Sequence, residues 1–190
     1  MKTRSIMIVG VGGQGSLLAS RIIGNVLSQG FDVKVSEVHG MSQRGGSVVT
    51  YVKYGSEVCS PVVEKGEADI IISFEQLEAA RYVSYLKKGG HIITSTQQID
   101  PMPVITGAAV YPEDIIGKLK AEGVDVIAVD ALALAEQAGT AKASNVVLMG
   151  VVSTKMAFDE DVWQKALENC VPAKFLELNK KAFALGREVK

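Results

Sequence analysis

The stretch Gly10-Val11-Gly12-Gly13-Gln14-Gly15 puts glycines in a Gly-x-Gly-x-x-Gly spacing directly behind the apolar run Ser5–Val9. That pattern suits one kind of chemistry, the binding of an anion by main-chain N–H groups. Gly10 lets the chain turn out of a strand. Gly12 leaves room for amides to approach a phosphate, with Gly13 and Gln14 beside it. Gly15 lets the following helix pack closely on the strand. The positive end of that helix favours the same anion. A second segment, Glu37-Val38-His39-Gly40-Met41-Ser42-Gln43-Arg44-Gly45-Gly46-Ser47, sets Ser42, Gln43 and Arg44 among small residues. Arg44 could pair with a phosphate or carboxylate through two N–H groups, or be a solvated residue in a plain turn. Glu37 closes the second expected strand, where a dinucleotide-binding unit keeps an acid for ribose hydroxyls, although it comes late by about one helical turn. On these residues alone the ligand stays open between NAD(P) or FAD and another phosphate carrier such as coenzyme A. A glycine joint that only tightens strand–helix packing fits as well. His39 could titrate near neutrality, as an unperturbed imidazole does, but a lone histidine is more often structural, and His91 reads the same way.

Strands and helices must alternate to position these loops. Strands are expected at Ser5–Val9, Asp32–Val38, Ser47–Tyr54, Asp69–Ser73, His91–Ser95 and Asp125–Val129, most of them rich in β-branched residues, as strands buried on both faces are. Helices are expected at Gln14–Gln29, Gln76–Lys88, Glu113–Glu122, Leu132–Ala138, Asn145–Met156, Glu160–Asn169 and Ala173–Leu185. The fold class that follows is α/β: a three-layer arrangement, a mostly parallel sheet with helices on both faces and a Rossmann-like start. One region departs from it. Ser47–Tyr54 follows the second strand after only a glycine-rich loop, and Tyr54-Gly55-Ser56-Glu57 reads as a hairpin turn back through Val58-Cys59, so a local antiparallel ribbon is expected. Residues 1–190 read as one domain.

The bulk numbers narrow the function class. A net charge of −1 gives no global field for nucleic acid or an anionic membrane. Two cysteines, Cys59 and Cys170, are too few for a four-thiolate zinc or iron–sulfur site. Met1-Lys2-Thr3-Arg4 leads straight into a strand, and no apolar run approaches the roughly 18 residues of a membrane span, so the cytoplasm is the expected compartment. No Ser/His/Asp arrangement, paired carboxylates or metal-ligand cluster is visible, so no catalytic residue is assigned. Trp163, Phe175, Leu178 and Phe183 near the C-terminus read as core before they read as an interface.

The two loops together resemble the gamma-type domain of the 2-oxoacid:ferredoxin oxidoreductases. The form His-Gly-Met-Ser-Gln-Arg-Gly-Gly is nearest to beta subunits of the indolepyruvate branch, and the likeness spans essentially the whole chain. This resemblance implies a subunit, inactive alone, of an enzyme that oxidatively decarboxylates an aryl pyruvate with coenzyme A and reduces ferredoxin. It implies thiamine diphosphate and iron–sulfur clusters on a larger partner subunit, since this chain has neither a Gly-Asp-Gly signature nor clustered cysteines. It also implies that Gly10, Gly12, Gly13, Gln14 and Gly15 line a phosphate-facing loop, with Ser42, Gln43 and Arg44 as a second wall or a contact to the partner. The rival expectations are a free-standing NAD(P)-dependent oxidoreductase using Glu37 on ribose, and a structural interaction subunit without ligand. The isolated chain could form a homo-oligomer.

Overall fold

The computed structural model describes residues 2–39 and 46–189. Six strands form one sheet in the order β2-β3-β1-β4-β5-β6. They are β1 (Arg4–Val11), β2 (Asp32–His39), β3 (Ser47–Gly55), β4 (Ala68–Ser73), β5 (Leu86–Ser95) and β6 (Asp125–Val129). β1, β4, β5 and β6 run parallel, while β3 is antiparallel to both β1 and β2. The side chains explain the inserted ribbon. Val35, Val52, Ile6 and Ile70 are paired in one row across four strands, so β3 continues the apolar face that helices cover.

One face of the sheet is covered by α1 (Ser16–Leu27), α5 (Ala131–Ala138), α6 (Ser144–Ser153), α7 (Glu160–Cys170) and α8 (Leu176–Arg187), the other by α2 (Gln76–Tyr82) and α4 (Ile115–Ala121). A short α3 (Met102–Ile105) lies between β5 and α4. Every residue of α6 after Ser144 is buried, as in a helix that is apolar all round and sandwiched between layers. It packs on β5 and α1 inside and on α8 outside. Trp163 and Phe183 are 0% exposed, with ring centroids 5.9 Å apart, so they belong to the core.

The layered α/β architecture, the strand–loop–helix start and the antiparallel ribbon are as the sequence leads one to expect. Three local expectations are corrected. Val58-Cys59 forms no return strand, because the Val58 amide donates to Asp32 Oδ2 (2.8 Å) rather than to a ladder. The helix expected over Gln76–Lys88 stops at Tyr82. Val83–Tyr85 tighten into a 3₁₀ turn and β5 begins at Leu86. Gln14 precedes α1 instead of lying in it.

Candidate functional site

The glycine loop leaves the carboxyl end of β1, a central strand, and enters α1. Gly10 does not turn the chain. It sits inside β1 opposite Val48, and a Cβ there would meet Gln14 Oε1 at 2.9 Å and Phe74 Cβ at 3.2 Å. Its bareness admits neighbours. Gly13 (φ 101°) and Gly15 (φ 87°) carry the actual bend in the left-handed region that glycine adopts without strain. Gly15 also packs against Asn145, the second residue of α6. A Cβ on Gly15 would overlap the Asn145 carboxamide, whose Nδ2 donates to the Gly15 carbonyl (3.2 Å).

The loop amides divide into two sets. Val11 N–H donates to Gln14 Oε1 (2.7 Å), Gly12 N–H to the Gly46 carbonyl (2.9 Å) and Gln14 N–H to the Val11 carbonyl (3.2 Å). These three are spent inside the protein. Among the described residues, none accepts from the amides of Gly13, Gly15 or Ser16, and no side chain caps α1. The first turn of this 12-residue helix holds no acid. Among the described residues, nothing lies within 4 Å of a Cβ built on Gly13. Unclaimed donors, an open approach and the positive helix end converge on one place, which fits an oxyanion such as phosphate.

Gln14 has a different part from the one its position suggests. Its Oε1 holds the Val11 amide, and its Nε2 donates to the Phe74 carbonyl (2.9 Å) and to Gln97 Oε1 (3.2 Å). It therefore ties together the segments that follow β1, β4 and β5, and its carboxamide positions the loop rather than facing a ligand. Glu37 lies on β2 opposite Thr50, with β3 between it and β1. In a dinucleotide-binding unit the acid-bearing strand pairs directly with β1. The inserted β3 removes that geometry, and with it the specific support for NAD(P). Ser42, Gln43 and Arg44 lie outside the described residues. The residues flanking that segment stand at the same edge, His39 paired with Val48 and Gly46 holding the Gly12 amide.

Sequence reasoning found no paired carboxylates, but the structure brings two together beside this loop. Glu75 and Glu78 are 1% and 4% exposed. Glu75 Oε2 accepts the Glu78 amide at the start of α2 (2.9 Å), and its Oε1 accepts from the Tyr111 hydroxyl and the Ile99 amide (3.3 Å). Glu78 Oε2 accepts from Ser47 Oγ (2.5 Å), and Arg81 Nε stands 3.4 Å from its Oε1. Ser47 is the sheet partner of Val11. Two acids three residues apart, just past the parallel strand that carries Ile70-Ile71-Ile72, were the available signal. It reads as a helix cap, which it also is.

Burial pushes the Glu78 carboxyl up, outweighing the downward pull of the Ser47 hydrogen bond and the Arg81 charge, and the charge of Glu75 adds a smaller upward push. Burial and the Glu75 hydrogen bond push the Tyr111 hydroxyl far up. A carboxyl held above its unfolded value near about 4.3 adds stability at low pH and loses it as pH rises through the folded value. Urea midpoints should therefore rise on moving from pH 7 toward pH 5 by more in the parent than in E78Q. Equal increments in the two proteins would show that Glu78 titrates normally.

Residues 5–189 match the family model described as pyruvate ferredoxin/flavodoxin oxidoreductase. The indolepyruvate oxidoreductase subunit IorB of Thermococcus kodakarensis is 44% identical over 192 residues, covering 98% of this chain and 95% of that one. Its counterpart in Pyrococcus horikoshii is 43% identical with the same coverage. Among solved structures, the gamma subunit of a keto/oxoacid ferredoxin oxidoreductase from Geobacter sulfurreducens superposes with a TM-score of 0.76, at 23% identity, over 100% of this chain and 97% of that one. The 2-oxoglutarate:ferredoxin oxidoreductase of Magnetococcus marinus, described with 2-oxoglutarate, coenzyme A and succinyl-CoA bound, gives 0.75 at 19% identity. This chain corresponds to 31% of that larger one. These two likenesses concern the fold.

Proposed function

The chain belongs to the pyruvate ferredoxin/flavodoxin oxidoreductase family, and from that premise we propose that it is an accessory subunit of a 2-oxoacid:ferredoxin oxidoreductase of the indolepyruvate branch. Its part in the reaction is positioning. The amides of Gly13, Gly15 and Ser16 hold phosphate groups of coenzyme A, so that the thiol end is delivered to the acyl-forming centre on a partner. The observation that carries this reading is that set of unclaimed amides around an open Gly13. Gln14 keeps the loop in shape, and Ser42, Gln43 and Arg44 supply a second wall or a contact to the partner. The coenzyme A described with the Magnetococcus marinus enzyme supports the ligand class.

Carbanion chemistry of thiamine diphosphate and one-electron chemistry of iron–sulfur clusters belong on a larger subunit that reduces ferredoxin. This chain's residues do not fit either group. Among the described residues no cluster of His, Cys, Asp and Glu is placed to hold a metal, and its cysteines lie apart, Cys59 after β3 and Cys170 at the end of α7. The compartment proposed is the cytoplasm. Among the described residues, no helix is long and apolar enough to cross a membrane.

Co-expression with the larger subunit tests the assignment. The assembled complex should bind coenzyme A in calorimetry at least ten-fold more tightly than the larger subunit alone, and this chain alone should show no turnover. Equal affinity with and without this chain would remove it from the coenzyme A site.

A further inference from the structure

At the opposite end of the sheet, where β1 and β4 begin, lies a second cavity of ≈ 540 Å³. That volume falls within the usual range of about 300–1,000 Å³ for small-molecule sites. Its floor is aromatic. Phe31 and Phe158 are half-buried and Tyr54 is 5% exposed. The Phe31 ring meets Tyr54 at 63° with centroids 5.5 Å apart, and Phe158 at 89° and 6.2 Å. Three rings set edge to face, not stacked, form a cup that offers ring surface to a further planar group.

The rim is cationic. Arg4, Lys87, Lys88 and Lys155 line it against the single acid Asp69. Asp69 is already engaged by the Ser5 amide (2.9 Å) and by Lys87 (2.9 Å). Arg4 lies beside the Tyr54 hydroxyl and opposes, by its charge, the upward push that burial gives that hydroxyl. Lys88 and Lys155 are exposed and make no ion pair among the described residues. At Gly89 (φ 81°) a Cβ would meet nothing within 4 Å among the described residues, so bare main chain forms part of the mouth. Uncompensated cations over an aromatic floor define the ligand chemistry.

We propose that this cavity binds a planar aromatic anion, its ring against Phe31, Tyr54 and Phe158 and its acidic group between Lys88 and Lys155. An aryl carboxylate and a nucleoside monophosphate share that chemistry. Calorimetry on the full chain separates them, using indole-3-acetate, AMP, adenosine and inorganic phosphate as probes. At least one of the two aromatic anions should bind saturably and at least ten-fold more tightly than adenosine and phosphate. The tighter of the pair identifies the source. The exposed pair K88Q/K155Q should weaken that binding at least ten-fold, whereas Gly13→Ala, at the other end of the sheet, should leave it unchanged. Phosphate binding Gly13→Ala as tightly as the aromatic anions do, an affinity for those anions indifferent to K88Q/K155Q, or loss of their binding in Gly13→Ala would each overturn the assignment.

Discussion

Gly150→Ala and Gly186→Ala are each expected to lower the unfolding free energy by about 3 kcal/mol, a large part of the roughly 5–15 kcal/mol that holds a domain together. α6 and α8 cross at these two glycines. A Cβ on Gly150 would overlap the Phe183 carbonyl oxygen and lie 2.9 Å from the Gly186 Cα. One on Gly186 would overlap the Val147 carbonyl oxygen and lie 3.1 Å from the Gly150 Cα. The obstacle in both cases is main chain, so no rotamer change relieves it. α6 cannot retreat, because β5 and α1 press on its other side. Alanine does gain up to about 1 kcal/mol over glycine inside a helix. Separating the helices outweighs that gain, since overpacking costs about 1–3 kcal/mol and the Trp163–Phe183 packing loosens as well. Urea denaturation measures the result, and parental stability in both variants would mean that the helices do not touch as described. The consequence reaches the site. α6 carries Asn145 at its start, and Asn145 holds the Gly15 carbonyl. A shifted α6 therefore also moves the anion-facing loop.

The parts of the fold that were legible in the sequence are those with local causes. Ile70-Ile71-Ile72 is a strand buried on both faces because every residue of it is β-branched and apolar, and Ser5–Val9 reads the same way. The place of β3 was not legible. Its antiparallel pairing with β2 follows from the short connection, but its insertion between β2 and β1 depends on Val52 matching Ile6 across 46 positions of sequence, and no local pattern states that. The apolar spacing that suggests a helix over Gln76–Lys88 continues through Val83 and Tyr85, while the chain spends these residues in a 3₁₀ turn. At the site, glycine spacing revealed the loop because the left-handed residues must be glycine. It could not reveal how the amides are shared out. Gln14 finds its partners at Phe74 and Gln97, and Gly12 finds its acceptor at Gly46, so the plugged and the open donors are told apart only after the sheet is assembled. Glu75 and Glu78 escaped for the same reason. Their spacing is that of a helix cap, and their burial comes from Ser47 and Tyr111 on distant elements.

Gly13→Ala should weaken coenzyme A binding by the assembled complex roughly 10- to 100-fold, the equivalent of losing one charge-assisted hydrogen bond of about 1.5–3 kcal/mol. The added methyl meets no atom of the described residues within 4 Å and lies beside the unclaimed amides, so it stands in the way of an approaching phosphate. Strain must be separated from obstruction, because a left-handed alanine costs about 1–2 kcal/mol wherever it occurs. Gly123 supplies the comparison. It has φ 79°, has nothing within 4 Å of a Cβ, and stands just before β6, at the other end of the sheet from the glycine loop. Gly123→Ala should lose about the same stability in urea and keep parental affinity for coenzyme A. A fall in affinity shared by both variants would trace the loss to weakened folding. An unchanged affinity in Gly13→Ala would mean that no phosphate sits over the α1 N-terminus. Raising the salt concentration adds an independent reading. If main-chain amides and a helix end hold the phosphate within a partly enclosed loop, affinity should fall only mildly with salt, since screening acts most on charges that face solvent. A steep fall would transfer the phosphate to side-chain cations, and the glycine loop would then serve the fold alone.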